Sequence, residues 1–209
     1  WSSVGFFNVV AKHQVGHMPK TFWLYQQVYD TDGNPIQNAV VDRNKDGEIT
    51  EADKYLTDKS PMAKVFMGLG SQFRYKNWDL GFNLRANFGG YVFNEFAAGN
   101  TTLTFSNQGY LINYYKHAGK YGFTEMSQIH QNTSDLYLEN ASFLKMDNIT
   151  IGYTFNKFFT DKISGRISAS VQNVFTITNY TGVDPECDAV DGNIWPRPRT
   201  FTLGLNLNF

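Results

Sequence analysis

The feature that most restricts the fold is a strict two-residue alternation close to the end of the chain. Residues Thr200–Phe209 read TFTLGLNLNF. Phe201, Leu203, Leu205, Leu207 and Phe209 share one parity, and Thr202, Gly204, Asn206 and Asn208 share the other. Side chains of a β-strand alternate between its two faces, so this segment is a strand with one apolar and one small-polar side. Its length matches the roughly 9–11 residues that a tilted strand needs to cross a bilayer. An apolar-out, small-polar-in strand that ends on an aromatic residue has the character of a closing strand in an outer-membrane barrel.

The same pattern recurs upstream. Val65, Met67, Leu69, Phe73 and Tyr75 oppose Gly68, Gly70, Gln72 and Arg74, with Ser71 as a polar interruption on the apolar side. After the short turn Lys76-Asn77, Trp78, Leu80, Phe82, Leu84, Ala86 and Phe88 oppose Asp79, Gly81, Asn83, Arg85 and Asn87. Ala141–Phe155 reads as one further strand, with Ile149, Ile151, Tyr153 and Phe155 against Thr150, Gly152 and Thr154. Beyond a turn at Asn156–Lys162, Ile163, Gly165, Ile167, Ala169 and Val171 alternate with Ser164, Arg166, Ser168, Ser170 and Gln172. Weaker strands are expected around Val4–Val10 and Thr21–Tyr29.

The connections between the strong strands run short (76–77), long (89–141), short (156–162) and long (174–198). Outer-membrane barrels have short periplasmic turns and longer extracellular loops. A soluble sandwich alternates too, but this loop asymmetry and the Gly, Asn, Ser, Gln and Arg content of the polar face favour a barrel. Arg74, Arg85 and Arg166 then line a wet lumen.

Composition removes other classes. Net charge is −1 over 209 residues, so bulk electrostatics do not indicate nucleic acid as a partner. Aromatic residues make up 16% while mean hydropathy is −0.38, which suits strands that are apolar on one side only. No apolar run reaches the ~18 residues of a membrane-spanning helix. The single cysteine, Cys187, excludes an internal disulfide. Residues 1–20 carry no basic head, apolar core and small-residue cleavage site of a signal peptide, so an exported protein is expected to extend beyond this stretch. His117 and His130 have no partners at metal-ligand spacing, and no nucleophile–base or paired-carboxylate constellation stands out. The sequon Asn132-Thr133-Ser134 reads as a chance match. The expected class is therefore not an enzyme.

One stretch carries distinct chemistry. Asp42-Arg43-Asn44-Lys45-Asp46-Gly47-Glu48 continues to Asp53 and follows the calcium-loop pattern D-x-[DN]-x-[DN]-G. Asp42, Asn44 and Asp46 supply oxygens at positions 1, 3 and 5, and Gly47 allows the sharp turn. Glu48 offers its backbone carbonyl at position 7, and Asp53 stands at position 12 where Glu is usual. Ile49 is the apolar anchor, and about two helical turns are expected over Thr50–Leu56. No helix precedes the loop, so this is not a helix–loop–helix unit. Calcium is the expected ion, at an affinity of about 10⁻⁴–10⁻³ M.

Several motifs together resemble one family in order along the chain. They are the 42–53 loop, Trp78-Asp79-Leu80 with Gly81–Phe88, Glu139–Tyr153 (ENASFLKMDNITIGY), Gln172–Glu186 (QNVFTITNYTGVDPE) and Trp195–Phe201 (WPRPRTF). The chain resembles the SusC/RagA-type TonB-dependent outer-membrane transporters of Bacteroidetes from about residue 16 to 209, in their C-terminal part. The resemblance implies an all-β fold, the C-terminal portion of a 22-stranded antiparallel transmembrane β-barrel with long extracellular loops and an N-terminal plug. Residues 1–209 would be one C-terminal barrel segment, with the 42–53 loop inside an extracellular loop. It further implies import of glycans or peptides with a SusD-like surface lipoprotein as lid, energy from TonB through the missing N-terminal part, and location in the outer membrane against lipid. The competing readings are a secreted calcium-dependent glycan-binding β module, which would stay soluble and monomeric without detergent, and a diffusion porin, which would lack a plug.

Overall fold

The computed structural model describes residues 10–99, 120–124, 129–156, 163–193 and 195–208. The strand expected at Val4–Val10, the turn residues 157–162, His117 and Phe209 lie wholly or largely outside them. In chain order the strands are β1 (Ala11–Lys12), β2 (Thr21–Leu24), β3 (Gln27–Tyr29), β4 (Pro35–Val40), β5 (Tyr55–Leu56), β6 (Val65–Tyr75), β7 (Trp78–Phe88), β8 (Tyr91–Phe93), β9 (Leu138–Asn140), β10 (Phe143–Phe155), β11 (Ser164–Thr178) and β12 (Thr200–Asn208). They divide between two compact units.

One unit is a five-stranded sheet in the order β12-β11-β10-β7-β6, antiparallel at every junction. Residues paired across strands share a face, so the register tests the alternation read from the sequence. Phe73, Leu80, Ile151, Ala169 and Leu203 form one row, and Ser71, Phe82, Ile149, Val171 and Phe201 the next. On the opposite face Gln72, Gly81, Thr150, Ser170 and Thr202 are aligned. The apolar face is open: Leu203 is 85% exposed and Phe201 73%. β6 spans 11 residues. At about 3.4 Å per residue and a tilt near 45° it covers about 24 Å of height, the thickness of a barrel's apolar band.

Two details depart from simple alternation. Between Met146 and Asn148 the register slips, leaving Asp147 unpaired against both β7 and β11. This bulge puts Leu144 and Met146 in apolar rows with Ala86 and Leu84, while Ile149 continues the same face at the opposite parity. The extra residue also bends the strand locally. On β11 the pairing passes from Gln172 to Phe175. Asn173 takes φ +53° there, a left-handed conformation that Asn tolerates better than most residues. β11 consequently runs on to Thr178, correcting the expectation that a loop begins at 174. At one end of the sheet β6 joins β7 through Lys76-Asn77. At the other, the chain leaves from Phe88 and Thr178 and re-enters at Val65, Phe143 and Thr200.

The second unit collects residues 1–63, 89–141 and 180–195. Its core contains Phe22, Leu24, Phe93, Ala97, Tyr137, Leu138 and Val190, with β1, β2 and β5 forming a small sheet. Long-range amide bonds join the separate stretches: Phe93 donates to the Ala189 carbonyl at 2.8 Å, and Asp191 to the Phe93 carbonyl at 2.8 Å. The buried Asp191 carboxylate accepts from the Tyr180 hydroxyl at 2.9 Å and from the Val183 amide at 2.8 Å. Gln131 accepts from the Asn38 amide at 2.9 Å and donates to the Gln27 side chain at 3.3 Å, pinning the β3–β4 hairpin to the short helix Ile129–Asn132. His130, on that helix, meets Tyr25 edge-on with ring centroids 5.0 Å apart.

Candidate functional site

The polar face of the sheet carries the three arginines singled out above. Arg166 on β11 reaches over β10 to Asp79 on β7, with Nε 3.0 Å from one carboxylate oxygen and Nη2 2.5 Å from the other. The residue it passes over is Gly152, the cross-strand partner of Asp79 and Ser168. A Cβ at Gly152 would stand 2.2 Å from Arg166 Nη2 and 2.6 Å from Asp79 Oδ1, so the two-pronged ion pair needs a residue with no side chain beneath it. Arg85 on β7 binds the bulged Asp147 through Nε and, at 2.9 Å, through Nη2. The bulge therefore re-aims a carboxylate as well as shifting the parity, and planar pairing of this kind is geometrically selective. The sequence places the arginines on this face; their partners emerge only from register.

The calcium-type loop is folded as a set of side chain-to-amide turns. Asp42 Oδ1 accepts from the Lys45 amide at 2.7 Å and Oδ2 from the Gly47 amide at 2.9 Å. Asn44 Oδ1 accepts from the Asp46 amide at 3.0 Å, and Asp46 Oδ1 from the Glu48 amide at 2.9 Å. Gly47 has φ +88°, a conformation that glycine adopts without steric cost. The structure thus brings Asp42, Asn44 and Asp46 together in one turn, while the Glu48 side chain is exposed. Asp53 is buried beneath the loop. Its Oδ1 accepts from the amides of Arg43 (2.8 Å) and Asn44 (3.3 Å), and its Oδ2 from Thr50 (2.8 Å). With Thr50 it forms a capping box on a single 3₁₀ turn, Glu51–Asp53. That turn, followed directly by β5, replaces the two helical turns expected over Thr50–Leu56. Lys54 then inserts between Trp23 and Tyr25, with Nζ 4.5 Å and 5.3 Å from their ring centroids, a cation–π anchor for the loop's end.

Among the described residues, no group of three or more His, Cys, Asp or Glu side chains is arranged to hold a metal ion. Calcium binding would require Asp42, Asp46 and Asp53 to trade amide contacts for the ion. The Asp53 carboxyl is held below the usual carboxylate range, first by the Thr50 amide, then by those of Asn44 and Arg43, with burial opposing them. A depressed folded-state value stabilises the loop above the unfolded pKa and is lost as pH falls through the folded one. Amide-exchange protection of residues 42–53 is thus expected to hold from neutral pH to about pH 4 and to fall below it. Asp53→Ala should abolish that protection at pH 7.

A ladder of this height, apolar and exposed on one side and polar with arginines on the other, is a section of transmembrane β-barrel wall. The RagAB peptide importer shares the fold: its open-open state superposes with a TM-score of 0.69 at 18% identity, covering 97% of this chain and 24% of that one. Its closed-closed state gives a TM-score of 0.65 over 92% of this chain and 23% of that one, at 19% identity. No family model matches the sequence. The TonB-dependent receptor SusC of Bacteroides thetaiotaomicron is 42% identical over 209 residues, 96% of this chain and 20% of SusC. TonB-dependent receptor P3 of Formosa agariphila is 28% identical over 200 residues, 85% of this chain and 19% of that receptor. The chain is homologous to the SusC/RagA-type TonB-dependent receptors and spans about a fifth of the length of these relatives.

Proposed function

We propose that this chain forms part of the wall and outward loops of a TonB-dependent importer in a bacterial outer membrane, one that takes up glycans or peptides with a SusD-like surface lipoprotein. The observation that carries the reading is the 42% identity to SusC along a sheet whose two faces suit lipid and water. In this reading the long connections lie outside the cell and the short turns lie on the periplasmic side. Coupling to TonB belongs to a part of the protein outside this chain, and the role is transport and not catalysis. Peptide cargo follows RagAB, and glycan cargo follows the family resemblance.

The test is to isolate the full-length protein from outer membranes in mild detergent and identify what co-purifies. A stoichiometric surface lipoprotein supports the importer. Release without detergent, as a monomer with no partner, overturns it in favour of a secreted calcium-dependent glycan-binding module. Calcium at Asp42, Asn44, Asp46, Glu48 and Asp53 is a proposal within the same reading, supported by the spacing of the oxygen donors. Millimolar calcium is expected to slow proteolysis within 42–53 and a chelator to reverse it; identical cleavage in both would remove calcium from the account.

A further inference from the structure

We propose that Arg74 is the anchor of a carboxylate-binding subsite on the polar face of the sheet. Both carboxylates borne by the strands of this face are already engaged: Asp79 holds Arg166 by two contacts, and Asp147 holds Arg85. Arg74 is the cross-strand neighbour of Asp79, yet among the described residues its guanidinium makes no ion pair or hydrogen bond. Arg166, reaching over Gly152, holds both oxygens of the nearest acid. Arg74 is left exposed at one end of a groove of about 600 Å³. Gly70 and Gly81 make room for the side chains of Asn83 and Gln72, which lie over them, and these amides line the groove with the hydroxyl of Thr150.

A guanidinium that Asp79 balances only through longer-range attraction, beside the Gln72 amide and the Thr150 hydroxyl, fits a planar anion. A guanidinium presents paired N–H groups that match a carboxylate in two-pronged geometry. A concave site walled by protein also concentrates field from a single charge more than a flat surface does. The ligand class is a carboxylate, supplied either by an acidic solute in the lumen or by an acidic side chain of another segment of the full-length protein. The inference rests on the proposed importer only for the biological source of that carboxylate; the charge preference is a property of the groove and is tested separately from transport.

The experiment uses the full-length protein in detergent with Cys187→Ser as background and Gln72→Cys as reporter, two residues from Arg74 on the same face. The reporter is alkylated with iodoacetate, which carries a carboxylate, and in parallel with neutral iodoacetamide of similar size. Modification is read on the reporter peptide by mass. The iodoacetate-to-iodoacetamide rate ratio is expected to fall about threefold or more on Arg74→Gln and to return with Arg74→Lys, since the local potential follows the charge. Ready labelling with Arg74 in place assigns the site to solutes. If the reporter is shielded from both reagents and Arg74→Gln exposes it, the carboxylate belongs to another segment of the polypeptide. An unchanged ratio, or shielding indifferent to Arg74→Gln, overturns the proposal. Thr150→Cys, on β10 in the row of Gln72 and Gly81, is a second reporter with the same expected readings if Gln72→Cys disturbs folding.

Discussion

Leu205→Arg is expected to lower the stability of the folded barrel by about 2–4 kcal/mol, the cost of an arginine facing lipid near mid-depth. Leu205 is 61% exposed and lies in the apolar row of β12 beside Ile167 of β11. The adjacent residue, Asn206, looks from sequence like the natural control because it has the opposite parity. The register shows why a different control is better. Asn206 is the cross-strand partner of Arg166, so an arginine there would add like-charge repulsion beside the Asp79 pair. Thr202, partnered by Ser170, is on the polar face without that complication. Thr202→Arg is expected to change stability by less than about 1 kcal/mol. Urea unfolding of the full-length protein refolded into lipid vesicles measures both, and equal losses would show that the two faces are assigned wrongly.

Gly152→Ala is expected to cost about 1–3 kcal/mol, the usual range for forcing an extra carbon into a filled site. The added Cβ would fall 2.2 Å from Arg166 Nη2 and 2.6 Å from Arg166 Cζ. Backbone propensity predicts the opposite sign, because alanine is better than glycine in an ordinary strand. The same change made with Arg166→Ser should cost clearly less, since the guanidinium is gone and the remaining close atom, Asp79 Oδ1, belongs to a side chain no longer held over the glycine. That non-additivity separates a clash with the ion pair from general damage to β10. The pair itself is about one-third exposed, 34% for Arg166 and 28% for Asp79, so breaking it alone is expected to cost less than breaking a fully buried one. A Gly152→Ala loss that persists unchanged without Arg166 would show that the ion pair does not set the requirement for glycine.

Much of the sheet was legible in advance because period-two alternation is a local signal. β6, β7 and β12 carry it along nearly their whole length, and the pairing rows agree with the parity sets residue by residue. The short and long connections were legible for the same reason. Where local and global patterns diverged, the reading failed in specific ways. The bulge at Asp147 reverses the parity within β10, so Leu144 and Met146 share a face with Ile149 that simple alternation would deny them. The helix expected after the calcium-type loop is cut to one turn because Asp53 folds back on the amides of Arg43, Asn44 and Thr50. The second unit was hardly visible at all. It is assembled by contacts such as Tyr25 with Thr133 and Phe93 with Ala189, which join distant stretches and leave no periodicity to find.

Along β6, β7 and β12 the sequence by itself determined which residues take the apolar face, which take the polar face and where the chain turns between β6 and β7. Those properties follow from the geometry of one strand and the identity of neighbouring residues. Only the tertiary structure decided which charges meet. Arg166 and Asp79 are 87 residues apart, and their meeting depends on strand order, register and the missing side chain at Gly152. The same arrangement leaves Arg74 outside the pair although Asp79 lies directly across from it. An ion pair is set by distances of a few ångströms between side-chain tips, and those distances exist only once the strands are aligned.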